Sequence, residues 1–483
     1  MKFPSVTALA VACVLLTVTP PVGATAAGAL PDAVQKVMTR YKIPATAVSI
    51  EVQAVDESTP RLALNVDTPR NPASTAKVVT TWTALDMFGP TYTLPTRIFT
   101  SGPVKGDVLQ GDLIIKGYGD PFLVIEDFWA LVGQIRRSGI RQIDGDIIID
   151  DSEFKVEEDD PAAFDGKGDA LYNVLPNAMM VNFKSIDFVF DANPATGKVN
   201  ITTVPALANL DIVNHVRLTP GACRGNSLTA ALHPVAAGAA MGTEQIEFGG
   251  EMPARCDRFQ TSRAIMTPGA YTYGAFKALW QQWGGGIKGG FRVEPKPPKA
   301  NALLTWQSRP LAEIIRPLNK WSNNLMARML LFAIGSHDNL RPVTRAQGEA
   351  ALLKHLESRG LDVNGIVIDN GSGLSRTTRV TSRFMTALLL HAWHSPSMPE
   401  FMASLSIAGV DGTTRRRFRG GPERGRMHLK TGSLQNVSAV TGFVHAQSGK
   451  TYVVNVMVNY TNANYGVGIE LQNALLSWIY KLP

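Results

Sequence analysis

Three short motifs, far apart but in a fixed order, constrain this chain more than any other feature. They lie at Ser74–Lys77, Ser322–Asn324 and Lys430–Gly432, and they read S-x-x-K, S-x-N and K-T-G. Each motif alone is weak, because S-x-x-K occurs by chance in most chains of this length. The ordered set requires a fold that brings a serine and two lysines together from three distant segments.

The first motif has the context of a helix start. Pro72 precedes it, and apolar residues recur at helical spacing over residues 78–88. Ser74 would lie in the first turn, on the same face as Lys77. A serine hydroxyl is a poor nucleophile unless a base takes its proton. Lys77 can be that base only if burial and a second cation, for which Lys430 is the candidate, lower its pKa.

The second motif precedes another helical pattern, over residues 325–334. Ser322 could pass protons between the two lysines and a leaving amine. Asn324 offers an amide that could hold Lys77 or a substrate carbonyl. The alternative is a helix-capping serine followed by two loop asparagines, which is common where such a motif stands alone.

The third motif lies beside a predicted buried hairpin, formed by residues 440–444 and 452–458. Gly432 would let a substrate backbone approach and pair with its strand. The backbone N–H groups of Ser433 and Ser74 could form an oxyanion hole. The alternative is an exposed, basic strand end.

Two glycine-rich stretches extend the pattern. Asp369–Arg376 reads DNGSGLSR and Ala408–Thr413 reads AGVDGT, and neither matches a phosphate-binding loop. With these stretches and the three motifs, nearly the whole chain after residue 26 resembles the class C low-molecular-mass penicillin-binding proteins. These form the D-alanyl-D-alanine carboxypeptidase/endopeptidase family, in which a long insertion separates the first two motifs.

The resemblance implies an α/β (α+β) fold. It consists of a penicillin-recognising, serine transpeptidase/β-lactamase-like catalytic domain with a large inserted two-part region that is rich in β-structure. It also implies a hydrolase that cleaves D-alanyl-D-alanine bonds of peptidoglycan stem peptides through an acyl-enzyme. The enzyme would act without a cofactor, and β-lactam antibiotics would bind to it covalently. Cleavage of peptidoglycan cross-links is expected as well.

The resemblance also assigns roles residue by residue. Ser74 attacks, Lys77 accepts its proton, Ser322 relays a proton to the departing D-alanine, and Asn324 orients the substrate or Lys77. The predicted substrate-binding residues are Lys430, Thr431, Gly432 and Ser433.

Two other functions remain as alternatives. A β-lactamase would need a group that activates water for rapid deacylation, such as a glutamate on a dedicated loop, and no such residue is identified. A non-catalytic envelope-binding protein would have a decayed site, whereas all three motifs are intact.

The length of 483 residues is too great for a single core of ordinary size. Similar strand patterns at 111–115 and 145–149 flank an amphipathic helix at about 123–137, which predicts a β-α-β unit. Short alternating strands follow it. The predicted organisation is a signal peptide (1–26), a first catalytic segment (27–97), an inserted β-α-β domain (98–175), an inserted β-rich subdomain (176–266) and a second catalytic segment (267–483).

The first residues are typical of a secretory signal peptide. Lys2 precedes an apolar run over 6–18, and an A-x-A pattern ends at Ala26. The run is too short for a comfortable membrane span, so we expect a periplasmic enzyme. In that compartment Cys223 and Cys256 would form one disulfide, or would remain as two free thiols.

The formal net charge is +7. A mildly basic exported protein could associate peripherally with anionic envelope polymers or a membrane surface, and no motif indicates nucleic acid. The arginines within 415–426 read mainly as a solvated loop, which could add positive potential near the third motif. His391 and His394 lack partner ligands nearby, so no metal site is predicted.

Overall fold

The computed structural model describes residues 29–157, 160–223, 234–240, 243–338 and 341–483. The predicted signal peptide lies outside the described residues. Within them the chain forms two packing units, a catalytic unit and an insertion. The first contains the three motifs, and the second covers one side of it.

The catalytic unit is built on an antiparallel sheet, as the resemblance implied. The strand that carries K-T-G pairs with the first strand of the predicted hairpin, and the two hairpin strands pair with each other. The hairpin prediction is therefore confirmed. The strands run in the spatial order Leu62–Leu64, Val48–Ala54, Thr451–Asn459, Val437–His445, Met427–Leu434 and Ser406–Ile407.

Both faces of this sheet are covered, which explains why its hairpin strands read as near-continuous apolar runs. Successive side chains of a strand point to opposite faces, and Phe443 and Val444 accordingly belong to two different cores. Asp32–Arg40 and Gly468–Tyr480 cover one face. The helices of the other core are Ala76–Phe88, Leu311–Trp321, Asn324–Gly335, Arg345–Ser358, Ser382–Trp393 and Met398–Ser404.

The insertion begins with the predicted β-α-β unit. Leu113–Gly117 and Ile147–Asp150 pair in parallel, and the helix Ile125–Arg137 connects them. This unit is confirmed. The full mixed sheet has the order Phe291–Val293, Ile147–Asp150, Leu113–Gly117, Pro95–Thr100 and Asn301–Gln307. A small sheet beside it has the order Gly286–Ile287, Gln142–Ile143, Val108–Leu109 and Val104–Lys105.

The β-rich portion of the insertion contains two further sheets. One has the order Glu251–Pro253, Arg217–Thr219, Lys198–Val204, Ile186–Asn193 and Arg258–Arg263. The other has the order Leu210–Asn214, Thr243–Phe248 and Pro234–Ala240. Cys223 and Cys256 are joined as a disulfide, with their Cα atoms 4.7 Å apart.

The sequence-based boundary at 266/267 stays a prediction, and the packing of the residues after it favours a later end of the insertion. The helix Pro268–Gln282 buries Phe276 and Trp280 in the same core as Phe128 of the β-α-β unit. The strand Asn301–Gln307 then pairs with Pro95–Thr100. We therefore propose that the insertion extends from about residue 95 to 307, because a helical pattern alone does not reveal which core the helix joins.

None of the described helices is both long and apolar enough to cross a membrane.

Candidate active site

Ser74 lies on a strained turn that leads into a helix. It sits in the short 3-10 turn Ala73–Thr75, directly before Ala76–Phe88. Ala73 has a φ of 46°, which is unusual for a residue with a side chain. Asn71 stabilises this turn, since its Oδ1 accepts from the Ala73 N–H at 2.8 Å. Ser74 is half-buried while its neighbours are buried, so its hydroxyl is presented to the cleft.

Lys77 is fully buried, and its ammonium group makes three hydrogen bonds. Its Nζ donates to Ser74 Oγ at 2.9 Å, to Asn324 Oδ1 at 2.6 Å and to the Ser372 carbonyl at 2.5 Å. These bonds join the first two motifs as predicted. No carboxylate among the described residues pairs with Lys77.

The environment of Lys77 disfavours its charged form. Burial, and then the positive charges of Lys430 and Arg328, hold the pKa of Lys77 well below its usual range. The two causes expected from the sequence, burial and Lys430, are both present. The lowered pKa makes the neutral form of Lys77 more accessible, and in that form an amine 2.9 Å from a serine hydroxyl can accept the proton of that hydroxyl.

The second motif lies in a tight junction between two helices. Ser322 has a φ of 61° and directly follows the helix Leu311–Trp321. Asn323, rather than Ser322, caps the next helix, because its side chain accepts from the Met326 N–H at 3.0 Å. Asn324 faces Lys77 through Oδ1 and donates through Nδ2 to the Tyr172 carbonyl at 3.0 Å.

Lys430 is fully buried as well, and its partners are neutral oxygens. Its Nζ donates to Ser322 Oγ at 2.8 Å and to the Thr431 carbonyl at 2.9 Å. Burial lowers the pKa of Lys430 to about 7. The second and third motifs are thereby connected, and Ser322 is placed beside an amine that can exchange a proton with it.

Gly432 is required by the contact between its strand and the nucleophile turn. A Cβ at this position would lie 2.5 Å from the Pro72 carbonyl oxygen and 3.1 Å from the Ser74 nitrogen. Ser433 lines the same pocket as Ser74 and Ser322. The hydroxyl of Thr431 donates to Thr413 Oγ1 at 2.8 Å. All the residues predicted for the site therefore lie at one cleft.

Some residues of this site were not found from the sequence. The Ser372 carbonyl holds Lys77, and the Tyr172 carbonyl, from the insertion, holds Asn324. Backbone acceptors leave no mark on residue type. The loop that carries Ser372 did give a signal through its glycines, since a Cβ on Gly373 would lie 1.9 Å from the Ala73 carbonyl oxygen.

The insertion supplies one wall of the pocket. Phe164, Asp165 and Tyr172 line it together with Ser433. The Tyr172 hydroxyl donates to Asp165 Oδ2 at 2.6 Å. The guanidinium of Arg376 lies over the Phe164 ring, 4.5 Å from its centroid. The insertion therefore contributes directly to the space that a substrate would occupy.

No group of three or more histidine, cysteine, aspartate or glutamate side chains in the described portion of the chain could hold a metal ion. His391 packs against Trp82, with 5.9 Å between ring centroids. It is a helix residue at the edge of the core, consistent with the sequence-based interpretation.

Comparison with known proteins places this cleft in context. The model of the D-Ala-D-Ala carboxypeptidase 3 (S13) family matches residues 30–480. A D-alanyl-D-alanine carboxypeptidase of Actinomadura sp. (strain R39) is 30% identical over 396 residues, which cover 78% of this chain and 71% of the relative. The D-alanyl-D-alanine carboxypeptidase DacB of Haemophilus influenzae is 25% identical over 401 residues, with 81% of each chain covered.

Solved structures share the fold. Penicillin binding protein 4 of Haemophilus influenzae superposes with a TM-score of 0.77 at 22% identity, covering 94% of this chain and all of the other. A predatory endopeptidase of Bdellovibrio bacteriovorus, acylated by penicillin G, has a TM-score of 0.52 at 18% identity, with 89% and 92% of the two chains covered. The predicted mixed α/β, penicillin-recognising fold is thus confirmed.

Proposed function

Since the chain belongs to the D-Ala-D-Ala carboxypeptidase 3 (S13) family, and is therefore a serine-type D,D-peptidase, we propose that Ser74 is its acylated nucleophile. The observation that carries the proposal is the hydrogen bond between Lys77 Nζ and Ser74 Oγ at 2.9 Å, in a buried cluster without a carboxylate among the described residues. Lys77 in its neutral form takes the Ser74 proton as Oγ attacks the carbonyl carbon between two D-alanines.

The cluster is arranged to receive that proton. After transfer, the Lys77 ammonium keeps two strong acceptors, Asn324 Oδ1 and the Ser372 carbonyl. The oxyanion that forms on the substrate would be held by the backbone N–H groups of Ser74 and Ser433. Close packing of Gly432 on the Ser74 turn supports this pairing of the two segments.

Collapse of the tetrahedral intermediate requires a proton on the leaving amine. Ser322 donates it in our proposal, and Lys430, at 2.8 Å from Ser322 Oγ, replaces it. With a pKa of about 7, Lys430 can both hold and release a proton near neutral pH. Water then hydrolyses the acyl-enzyme and frees Ser74.

The carboxylate of the terminal D-alanine is assigned to Lys430 and Thr431. Thr431 presents its hydroxyl at the rim of the cleft, next to Thr413. The same groups would hold the carboxylate of a β-lactam antibiotic, whose ring opening acylates Ser74. A neighbour of the same fold is complexed with a β-lactam, and another is acylated by penicillin G, which supports this assignment.

We further propose that the enzyme acts on peptidoglycan outside the cytoplasm and cleaves cross-links as well as terminal D-alanine. Residues 1–26 would direct export and would be removed after Ala26. The fold shared with an endopeptidase supports action on cross-links, and the open pocket between catalytic unit and insertion gives a second peptide a route of entry.

The decisive experiment is intact-protein mass spectrometry after brief exposure to benzylpenicillin, followed over time. Wild type should gain one stable penicilloyl group on the peptide that contains Ser74, and Ser74→Ala should gain none. Ser322→Ala, which alters the other serine beside a lysine, should still acylate, but more slowly.

A Ser74→Ala protein that still acylates would refute the assignment. Rapid loss of the adduct with turnover of the drug would indicate a β-lactamase, and no adduct on wild type would leave the binding-protein alternative.

A further inference from the structure

An exposed tryptophan lies immediately outside the cleft. Trp321 precedes Ser322 and ends the helix Leu311–Trp321. Its side chain is 60% exposed, although the apolar face of that helix is buried. A large aromatic ring left in water beside a catalytic cleft is the kind of surface that binds a partner.

A cation completes this surface. The guanidinium carbon of Arg415 lies 5.9 Å from the centre of the Trp321 ring. Arg415 is exposed and forms no ion pair with any residue that the structure describes. The same holds for Arg416 and Arg419 on this loop, so the loop presents unneutralised positive charge. We call Trp321 and Arg415 together the aromatic–cation platform.

Both halves of the platform are rigidly attached to the site. Lys320, next to Trp321, donates to Asp411 Oδ2 at 2.6 Å and to the Leu405 carbonyl at 2.8 Å. This bond fixes the end of the helix to the loop that carries Arg415. Thr413, on the same loop, accepts a hydrogen bond from the hydroxyl of Thr431. The platform is therefore preorganised relative to Ser322 and Thr431.

The position of the platform identifies what it would contact. Under the proposed function, on which this inference rests, Ser322 protonates the leaving amine and Thr431 holds its carboxylate. Trp321 directly precedes Ser322. Arg415 lies two residues after Thr413, which accepts a hydrogen bond from the Thr431 hydroxyl. The platform therefore adjoins, along the chain, the two segments that are proposed to contact the leaving group.

We propose that the aromatic–cation platform binds the second stem peptide of a cross-linked substrate. A single departing D-alanine ends at its own carboxylate and has nothing left to reach the platform. When a cross-link is cleaved, the leaving amine belongs to a whole second peptide, which carries aliphatic groups and free carboxylates. An aromatic face beside an unpaired guanidinium is complementary to both.

The test compares two peptide substrates without sugars. One is a stem peptide that ends in D-alanyl-D-alanine, and the other is a dimer of two stem peptides joined by a D-alanyl cross-link. In Trp321→Ala the ratio of kcat/KM for the dimer to that for the monomer should fall by about tenfold, and in Arg415→Gln by about threefold. Trp321→Phe, which keeps an aromatic face, should retain most of the wild-type ratio.

Matched controls separate the platform from general effects. Arg416→Gln removes the same charge from the same loop and should leave the ratio unchanged. Trp129→Ala removes another half-exposed tryptophan, from a helix of the insertion, and should leave it unchanged too. Benzylpenicillin, whose leaving amine remains tethered after ring opening, gives the acylation rate of each variant independently of any second peptide.

Three outcomes would overturn the inference while the proposed function stands. The first is an equal loss of kcat/KM on the dimer and on the monomer. The second is an effect of Arg416→Gln as large as that of Arg415→Gln. The third is a wild type that releases D-alanine from the monomer but does not cleave the dimer. A ratio that changes only when the substrates carry their disaccharides would assign the platform to glycan and would also overturn it. Failure of wild type on every substrate would instead refute the proposed function.

Discussion

Lysines whose amines are largely or fully removed from water have different partners in the two units of this molecule. In the catalytic cleft, Lys77 and Lys430 donate only to hydroxyl, amide and carbonyl oxygens. In the insertion, Lys116 donates at 2.9 Å to the carboxylate of Asp150, which is itself buried. One residue type is therefore held with a charged partner in one unit and without one in the cleft of the other.

The physical reason lies in what a counter-ion does to a buried amine. A carboxylate stabilises the charged form and keeps a lysine protonated, whereas burial without one favours the neutral form. Lys320 shows that the catalytic unit also uses the paired arrangement, since its ammonium meets Asp411 at 2.6 Å. The absence of a carboxylate beside Lys77, among the described residues, is therefore a local property of the cleft.

Removing the cleft amine should give the largest effect. Lys77→Met keeps the apolar stem but removes the amine that we propose accepts the Ser74 proton. We expect the rate constant of acylation by benzylpenicillin to fall by about 10³-fold, within the usual range for loss of a general base. The rate of adduct formation, followed by mass spectrometry, measures it.

The same variant should remain folded, because it removes a group that is costly to bury. Its unfolding temperature should stay within about 3 °C of wild type, the shift that ~1 kcal/mol produces in a large domain. Acylation at more than a tenth of the wild-type rate would show that Lys77 is not the base.

A carboxylate placed beside Lys77 should form an ion pair with it and stabilise its charged form. In Asn324→Asp the new carboxylate would lie about where Asn324 Oδ1 now accepts from Lys77, at 2.6 Å. The pKa of Lys77 should rise, so that less of the neutral base is present at pH 7. We expect acylation at pH 7 to slow by about 10–100-fold, with recovery at alkaline pH.

Asn323→Asp is the matched control for this substitution. It makes the same chemical change one residue away, where the side chain caps a helix and does not contact Lys77. Aspartate caps helices as well as asparagine does, so acylation should change little. Equal slowing in the two variants, or the lack of alkaline recovery in Asn324→Asp, would contradict the counter-ion argument.

Removing the amine of Lys116, the paired lysine of the insertion, should lower the stability of the fold and leave the rate of acylation unchanged. Among the residues that the structure describes, Lys116→Met leaves the buried Asp150 with Ser152 and the Lys296 N–H as its remaining partners. We expect the free energy of unfolding to fall by about 1–3 kcal/mol, measured by denaturant or thermal unfolding. The rate of acylation per folded molecule should be unchanged.

Lys105→Met serves as the control, because Lys105 is an exposed lysine on a strand of the same insertion. The pKa of Asp150 is lowered by Ser152 and Lys116 in spite of its burial. A carboxyl with a lowered folded pKa stabilises the fold above its unfolded pKa and loses that contribution as the pH falls. The cost of Lys116→Met should therefore shrink in acid, and a cost that is independent of pH would contradict the ion-pair explanation.

The sequence predicts individual helices and strands better than it predicts how distant elements pack together. The Ser74 helix, the K-T-G strand with its hairpin and the β-α-β unit all depend on short-range periodicity, which the chain displays directly. The helix Pro268–Gln282 shows the same kind of periodicity, but it packs with Phe128 across a large sequence separation. Local pattern identifies such a helix without identifying its partner.

In the site, too, the sequence indicates some groups and does not indicate others. Side chains of the motifs were identified because their types are required by the chemistry. The carbonyl groups of Ser372 and Tyr172 complete the hydrogen bonds of Lys77 and Asn324, and any residue could have supplied them. The sequence indicates that Arg415 belongs to a solvated loop. Its position over the Trp321 ring depends on the tertiary structure, so the sequence alone does not reveal that contact.

The pH dependence of Ser74 acylation in wild type tests the proposal that Lys77, which has no carboxylate partner among the described residues, acts as a neutral base. The second-order rate constant with benzylpenicillin would be measured between about pH 5 and 11, with Asn324→Asp alongside. We expect a rising limb whose midpoint lies well below the ordinary lysine pKa of about 10.4. A rate that rises only near that value in wild type would mean that Lys77 is charged at neutral pH and is not the neutral base.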